Sequence, residues 1–285
     1  MKISVIIPAK DSPKELSRLL KALKKQRLRP NEVLVADSSK GLEVKTIAEK
    51  EGALVIRIPP EKFNHGLTRT LAAQKSKGDI LVFFTQDACP AHPSAIKNLV
   101  ESLNGQVAAA FGRQISPLKF GVLPFLHRLH NYPSHSLVIS LEKIDHLKLR
   151  AIFFSNSFSA YKKGALQEIG WFEKVPALED QLAAAKLLLS GYQLAYVANA
   201  VAFHGHPFSF KKEWKRFTDM GRFYAQHFWI YDSFGKPENE ARKYILFVWR
   251  ELKKRKKTCL FFPFLAQQVM RWVAYRWGLC KFRKS

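Results

Sequence analysis

The chain has 285 residues, 47% hydrophobic and 25% charged, which excludes a disordered or fibrous protein and leaves room for one large core or a core with an appendage. Lys and Arg number 47 against 23 Asp and Glu, a net charge of +24 that favours polyanionic partners: nucleic acid, anionic lipid or phosphate-bearing substrates. The cysteines, Cys89, Cys259 and Cys280, lie far apart with no C-x-x-C pair, which argues against a disulfide framework or a structural zinc site and suits a reducing cytosol.

In chain order, residues 3–8 read as a first strand; the apolar run is too short for a signal sequence and Asp11 follows at once. Ser12-Pro13-Lys14-Glu15 supplies an N-cap, a proline at the first helical position and a capping-box glutamate, and Leu16, Leu19, Leu20 and Leu23 continue at helical spacing. A second strand, 32–36, ends in Asp37-Ser38-Ser39, and Val44, Ile47 and Ala48 mark the next helix. Residues 53–58 form a third strand; Pro59-Pro60 then opens a loop into FNHG (63–66) and a short helix to about Lys77. The fourth strand, ILVFF at 80–84, runs into Asp87 and a turn at Pro90. Four strands alternating with three helices predict an α/β, doubly wound, mostly parallel sheet. Asp11, Asp37, FNHG and Asp87 all follow strand ends, so they share the edge where such sheets bind ligands. Neither G-x-G-x-x-G nor G-x-x-x-x-G-K-[ST] is present, so a nucleotide would be held another way.

Residues 93–103 read as a helix and 107–111 as a strand; 112–150 is irregular and rich in His and Pro. FFSNSFSAY (153–161) alternates like a strand. Glu179-Asp180 precedes an apolar helix, 182–189, stopped by Gly191, and strands follow at 192–197 and 201–203, the second ending in His204-Gly205-His206. Beyond Phe208 the pattern is helical, aromatic and basic. Residues 241–285 carry thirteen Lys and Arg against one acid, Glu251, half the net excess of the chain. There Lys253-Lys254-Arg255-Lys256-Lys257 adjoins FFPFLAQQVMRWVAYRW (261–277). This combination suits an anionic membrane interface, where cations meet lipid headgroups and Trp and Tyr sit at their level. A helix packed on the α/β domain with a solvated basic face is the plainer alternative, and a nucleic-acid-binding tail is the least favoured. No uncharged apolar stretch reaches about 18 residues, so no spanning helix is expected.

The ordered set SVIIPAKD (4–11), EVLVADSS (32–39), FNHGLTR (63–69), GDILVFFTQDACP (78–90), SNSFSAYKK (155–163), LEDQLAAAKLLLSGY (178–192) and VAFHGH (201–206) resembles the family 2 glycosyltransferases of the GT-A fold, closest to their rhamnosyltransferase-like branch. The resemblance implies a GT-A catalytic domain over 1–208, with a nucleotide half to about 113 and an acceptor half beyond it, and a helical basic extension over 209–285. Asp87 stands in the position of the DxD acid that holds a divalent metal on the donor diphosphate. Here the motif is Thr85-Gln86-Asp87 and keeps only the last acid. His204 is the matching second ligand, which favours Mn²⁺ over Mg²⁺; His206 is the weaker candidate, and a lone histidine is ordinarily just a hydrogen-bonded residue.

Asp180 is implied as the general base, with Glu179 as fallback, although acids at a helix start also serve simply as caps. Asp37, with Pro8, Ala9 and Asp11, is expected at the nucleotide. Asn64, His65 and Arg69, with Thr85 and Gln86 alongside, are expected at the sugar and diphosphate; Leu67 replaces a glycine of the family pattern. The expected activity is an inverting transfer of a sugar, with dTDP-L-rhamnose suggested by the branch, to a hydroxyl of a surface-glycan or lipid-linked saccharide acceptor. The expected location is cytoplasmic, peripheral on the inner membrane face, with no nucleic-acid partner. The competing reading is an inactive GT-A-like protein acting through its basic tail on lipid or nucleic acid. A nucleotidyltransferase would need a Gly-rich basic loop after the first strand, which is missing.

Overall fold

The structure is a computed structural model that describes residues 1–236 and 238–282; Pro237 and the last three residues, among them the tail cations Arg283 and Lys284, lie outside it. The first half alternates as its periodicity requires: β1 (Ile3–Ala9), α1 (Pro13–Lys24), β2 (Glu32–Asp37), α2 (Glu43–Lys50), β3 (Leu54–Arg57), α3 (His65–Lys75) and β4 (Ile80–Phe84). A two-residue β5 (Cys89–Pro90), α4 (Ala95–Glu101) and β6 (Val107–Ile115) follow. The region without a regular pattern folds into α5 (Val122–Asn131), a short β7 (Leu137–Ile139) and α6 (Ile144–Leu147). Then come β8 (Phe158–Lys162), α7 (Lys163–Glu168), α8 (Glu179–Leu189) and β9 (Gln193–Phe203). The chain closes with α9 (Phe210–Gln226), α10 (Trp229–Phe234), α11 (Glu238–Lys254) and α12 (Phe261–Phe282).

Among the described residues the strands form one sheet in the order β3-β2-β1-β4-β8-β6-β9-β5, with β7 paired to β9. Pairings β1–β2, β1–β4, β2–β3 and β6–β9 are parallel, whereas β8 runs antiparallel to both β4 and β6. Because β8 is reversed, β6 and β9 again point the same way as β1 and β4. The carboxyl ends of β1, β4, β6 and β9 and the amino end of β8 therefore meet at one edge.

Alternate residues feed two cores, one on each face. Val5, Ile7, Val82 and Phe84 pack with the leucines of α1 and with α4. Ile6, Leu81, Phe83 and Phe111 pack with α8 and with Phe223 and Tyr224 of α9. A sheet covered on both faces has continuous apolar strands, which is why β1 and β4 are buried along their whole length.

Two sequence expectations are corrected. The alternating segment 153–161 is a strand only from Phe158, because residues 148–152 close a 3₁₀ turn and the backbone at 155–157 bends along the site edge. The two strands expected at 192–197 and 201–203 are one, β9, in which Val197 pairs with Gly112 and Val201 with Arg113, leaving residues 198–200 as a bulge.

The helical extension is packed onto the rest. Gly221 of α9 faces Gly278 of α12, and a β-carbon on either would overlap the other helix's backbone, so the two helices cross at backbone contact. A third small core joins Leu126 of α5, Val248 and Leu252 of α11 and Phe264 of α12.

Candidate active site

The edge is assembled from strand ends. Phe84 ends β4 and is followed by the turn that carries Thr85, Gln86 and Asp87; Ala88 N–H closes it on the Thr85 carbonyl at 3.0 Å. Parallel pairing of β6 with β9 sets Ile115 opposite Phe203, and the next residue, His204, donates its N–H to the Ile115 carbonyl at 3.0 Å. His206 reaches back across the same edge. Its Nε2 lies 3.0 Å from Asp87 Oδ2, and His204 Nε2 lies 3.6 Å from Asp87 Oδ1. The three donor atoms all fall within 4.8 Å of one another. His206, the weaker candidate in the sequence, is thus part of the cluster; its signal was the two-residue spacing in His204-Gly205-His206, which puts both imidazoles beyond one strand end.

The protonation states suit ligation. Burial first, and then the Arg128 guanidinium, push the buried His204 down to about 3, so its imidazole is neutral. Burial alone would raise the Asp87 carboxyl, but the hydrogen bond from His206 and the neighbouring imidazoles outweigh it and hold the group ionised, well below the usual carboxylate range. His204 Nδ1 faces Gln114 Oε1 at 2.8 Å and Arg128 Nη2 at 3.1 Å. Gln114 is buried and donates its amide to Ser155 Oγ at 2.9 Å, which turns its oxygen to His204 Nδ1, while Arg128 approaches the same nitrogen as a donor and Nε2 is left facing Asp87. Thr85 Oγ1 is buried beside this cluster, and its side chain is among the groups that lower the Asp87 carboxyl. One carboxylate and two imidazole nitrogens, with the buried His204 ring neutral, fit a first-row divalent cation better than Mg²⁺, which prefers oxygen.

Asp180 lies along the same edge. Leu178 precedes α8 at φ +62°, an unfavourable conformation for its side chain, and Glu179 and Asp180 then point different ways. Asp180 accepts the Asn156 N–H at Oδ2 (3.1 Å) and the Gln181 N–H at Oδ1 (2.9 Å). Asn156 precedes Ser157, whose carbonyl accepts the Thr85 N–H, so a short backbone path joins Asp180 to the turn bearing Asp87. Burial, and next the neighbouring Glu179 carboxylate, push Asp180 up to about 7 despite its backbone donors. Simple capping does not account for it, because the N-cap position is Leu178 and carries no side-chain cap. Glu179 instead turns inward and pairs with the buried Arg69 at 2.8 Å.

The remaining candidates brace the edge. Pro8 and Ala9 are buried at the end of β1, the latter in register with Asp37. Asp37 is buried and committed to the Arg57 guanidinium and the Ser39 N–H (2.8 Å). Asp11, at φ +46°, sits in the loop beyond β1 and accepts from Lys40 N–H at 3.3 Å. Gln86 bridges to both backbone groups of Lys10, tying the loops after β1 and β4 together. Asn64 caps α3 through the N–H groups of Gly66 and Leu67 and donates to the Val175 carbonyl, so its side chain is saturated by protein. Arg69 is likewise held by Glu179 and by the His65 carbonyl, with His65 beside it and kept from protonation by burial. The side chains of Asn64, Arg69 and Gln86 therefore position loops in this structure.

Comparison with known proteins decides the family. The model of "Glycosyl transferase family 2" matches residues 4–170. The chain belongs to glycosyltransferase family 2. It is 36% identical over 249 residues to the O-antigen chain rhamnosyltransferase RfbN of Salmonella typhimurium, covering 86% of this chain and 79% of that one. It is 34% identical over 227 residues to the O-antigen chain rhamnosyltransferase WbaN of Salmonella anatum, covering 79% and 72%.

Solved structures agree on the fold. A mannosyltransferase, PcManGT from Pyrobaculum calidifontis in complex with GDP-Man and Mn²⁺, superposes with a TM-score of 0.68 at 17% identity, covering 99% of this chain and 86% of that one. S. aureus TarS 1-349 in complex with UDP-GlcNAc gives 0.57 at 16% identity, covering 100% and 92%. The protein is a nucleotide-sugar-dependent glycosyltransferase of the GT-A fold, similar to the rhamnosyltransferases of O-antigen synthesis, and the reading as an inactive tail-driven binding module is not favoured.

Proposed function

We propose that the enzyme moves L-rhamnose from dTDP-L-rhamnose to a hydroxyl of a growing surface-glycan acceptor, with inversion at the anomeric carbon. The observation that carries this reading is the pairing, along one sheet edge, of a metal-ligand cluster with a single partly accessible carboxylate raised to about 7. Similarity to two O-antigen rhamnosyltransferases supports the sugar.

Asp87, His204 and His206 would hold a divalent cation, with Mn²⁺ favoured by the two imidazoles; such an ion neutralises charge on the departing nucleoside diphosphate. The β1 end, Asp11 and the Asp37–Arg57 pair wall the place for the base. Asp180 takes the proton of the acceptor hydroxyl while its oxygen bonds to the anomeric carbon and the carbon–phosphate oxygen bond breaks on the opposite face, so one displacement inverts the centre. A base near 7 is half ionised at neutral pH and strong enough to accept that proton as the new bond forms.

We further infer that the enzyme works at the cytoplasmic membrane surface. No helix among the described residues is long and apolar enough to cross a membrane. The outer face of α12 nevertheless exposes Phe262 (79%), Val269, Trp272 (56%) and Trp277 (59%), and the exposed cations Lys253, Lys254, Lys256 and Lys257 precede the helix in the chain. An apolar aromatic stripe preceded by cations supports shallow insertion among anionic headgroups.

The donor assignment is tested by incubating the full chain with Mn²⁺ and a panel of dTDP-, UDP- and GDP-sugars and measuring nucleoside diphosphate release. dTDP-L-rhamnose is expected to be cleaved fastest. Preference for another donor would overturn the sugar, and inertness toward every donor would overturn the transferase reading.

A further inference from the structure

Three guanidiniums from three helices converge behind the metal-ligand cluster. Arg128 of α5, Arg216 of α9 and Arg271 of α12 line a cavity of about 280 Å³ that opens past Gly205 and His206. Arg216 and Arg271 also line an adjoining cavity of about 280 Å³ that opens past Leu178 and Gln181, on either side of Asp180. Among the described residues Glu213 is the one acid on the wall of either cavity. It is engaged by Arg271 at 2.6 Å and lies 3.6 Å from Arg216. Arg128 has no carboxylate within ion-pair distance among the described residues; its neighbours are Tyr132 and His204. Arg216 lines both cavities, and although its side chain is 57% exposed, the surrounding protein desolvates its guanidinium.

Among the described residues these cations, with Arg150 also on the wall of the second cavity, outnumber the one acid. Their effect is visible on His127, which shares both cavities: burial, then Arg128, Arg271 and Arg216, hold it well below the ordinary histidine range, so the imidazole stays neutral. A further donor waits in the first cavity, where Ser116, 1% exposed, presents an Oγ with no hydrogen-bond partner. Guanidiniums and a hydroxyl arriving from several directions match the oxygens of a phosphoryl group. The second cavity continues over Phe153, Phe217 and Met220, apolar surface suited to the rest of such a ligand.

The place in the fold selects which substrate carries that phosphate. A separate cavity on the other side of the Gly205–Pro207 turn contains Asp87 together with Arg18, Lys119 and Lys212, and it has the charge to take the donor diphosphate. The three-arginine cavities lie instead toward α8 and the helical extension. We propose that they bind the phosphoryl group of a phosphate-linked saccharide acceptor, which positions the acceptor sugar at Asp180. This rests on the transferase reading above and adds the chemical class of the acceptor to it.

The test uses the full chain and octyl diphosphate as the probe, with octyl glucoside as the uncharged control and dTDP with Mn²⁺ as the donor-side control. Wild type is expected to bind octyl diphosphate and not octyl glucoside. Arg216→Gln should weaken octyl diphosphate about tenfold or more, Arg216→Lys should recover part of the loss, and dTDP affinity should not change. Equal binding of octyl diphosphate by wild type and Arg216→Gln would overturn the site. A parallel loss of dTDP affinity in Arg216→Gln would assign the arginines to the donor and overturn the acceptor role. Octyl diphosphate bound as expected by a chain inert toward every sugar nucleotide would sink the transferase reading and leave the phosphoryl site standing.

Discussion

His206 adds a third potential donor atom to the Asp87–His204 cluster. It is 60% exposed, so its removal should leave the fold intact while taking away one of three ligands. We expect His206→Ala to weaken Mn²⁺ at least about tenfold with an unchanged Tm, followed by the paramagnetic resonance of free Mn²⁺; unchanged affinity would put His206 outside the site. Asp180 carries the pH dependence. Its carboxyl is raised to about 7 and acts only when ionised, so kcat/KM should fall about tenfold per pH unit below 7 and level off above it. A profile flat down to pH 5 would mean an ordinary, solvated acid. The placing of Asp87, Asp180 and His204 on one sheet edge was legible because each follows a strand or opens a helix; their roles remain the proposal above. His206 was legible only as the weaker candidate, since a strand end does not reveal how the chain returns. The internal use of Asn64, Arg69 and Gln86 was not legible, because their partners at Val175, Glu179 and Lys10 all lie far off in the chain.

At the scale of elements, α3 and α8 are locked by the Arg69–Glu179 pair, with both side chains almost fully buried. Such a pair is stabilising mainly in the sense that neither charge can be left alone. Glu179→Gln should therefore cost about 3–5 kcal/mol of stability in urea unfolding, far more than an exposed pair would. A loss below about 1 kcal/mol would show that the pair is solvated. The early strands and helices were readable because apolar periodicity and the Ser12-Pro13-Lys14-Glu15 start are local signals. β8 was misjudged at its start because its alternation begins within a bend that only the site edge requires. β9 read as two strands because its bulge at 198–200 interrupts the pattern that parallel pairing with β6 carries across. Residues 112–150 gave no pattern because α5 and β7 are stabilised by distant partners: α5 by Val248, Leu252 and Phe264, β7 by β9.

The whole molecule is a two-faced sheet whose ligand edge is enclosed by a helical extension. Packing of Gly221 against Gly278 buries one side of α12, as the packed-helix alternative in the sequence expects, and leaves Phe262, Trp272 and Trp277 exposed for the proposed membrane contact. In sedimentation with vesicles containing phosphatidylserine, the full chain should bind, bind less as salt rises, and lose several-fold affinity in Trp272→Ala/Trp277→Ala. Equal sedimentation of the two proteins would remove the membrane face. The central claim concerns the reaction, and it is tested most directly by release of nucleoside diphosphate from dTDP-L-rhamnose with Mn²⁺, comparing wild type with Asp180→Asn. We expect turnover by wild type, a fall of about 10²–10⁴-fold in the variant, and dTDP affinity retained in both. Turnover by Asp180→Asn at the wild-type rate would contradict the account.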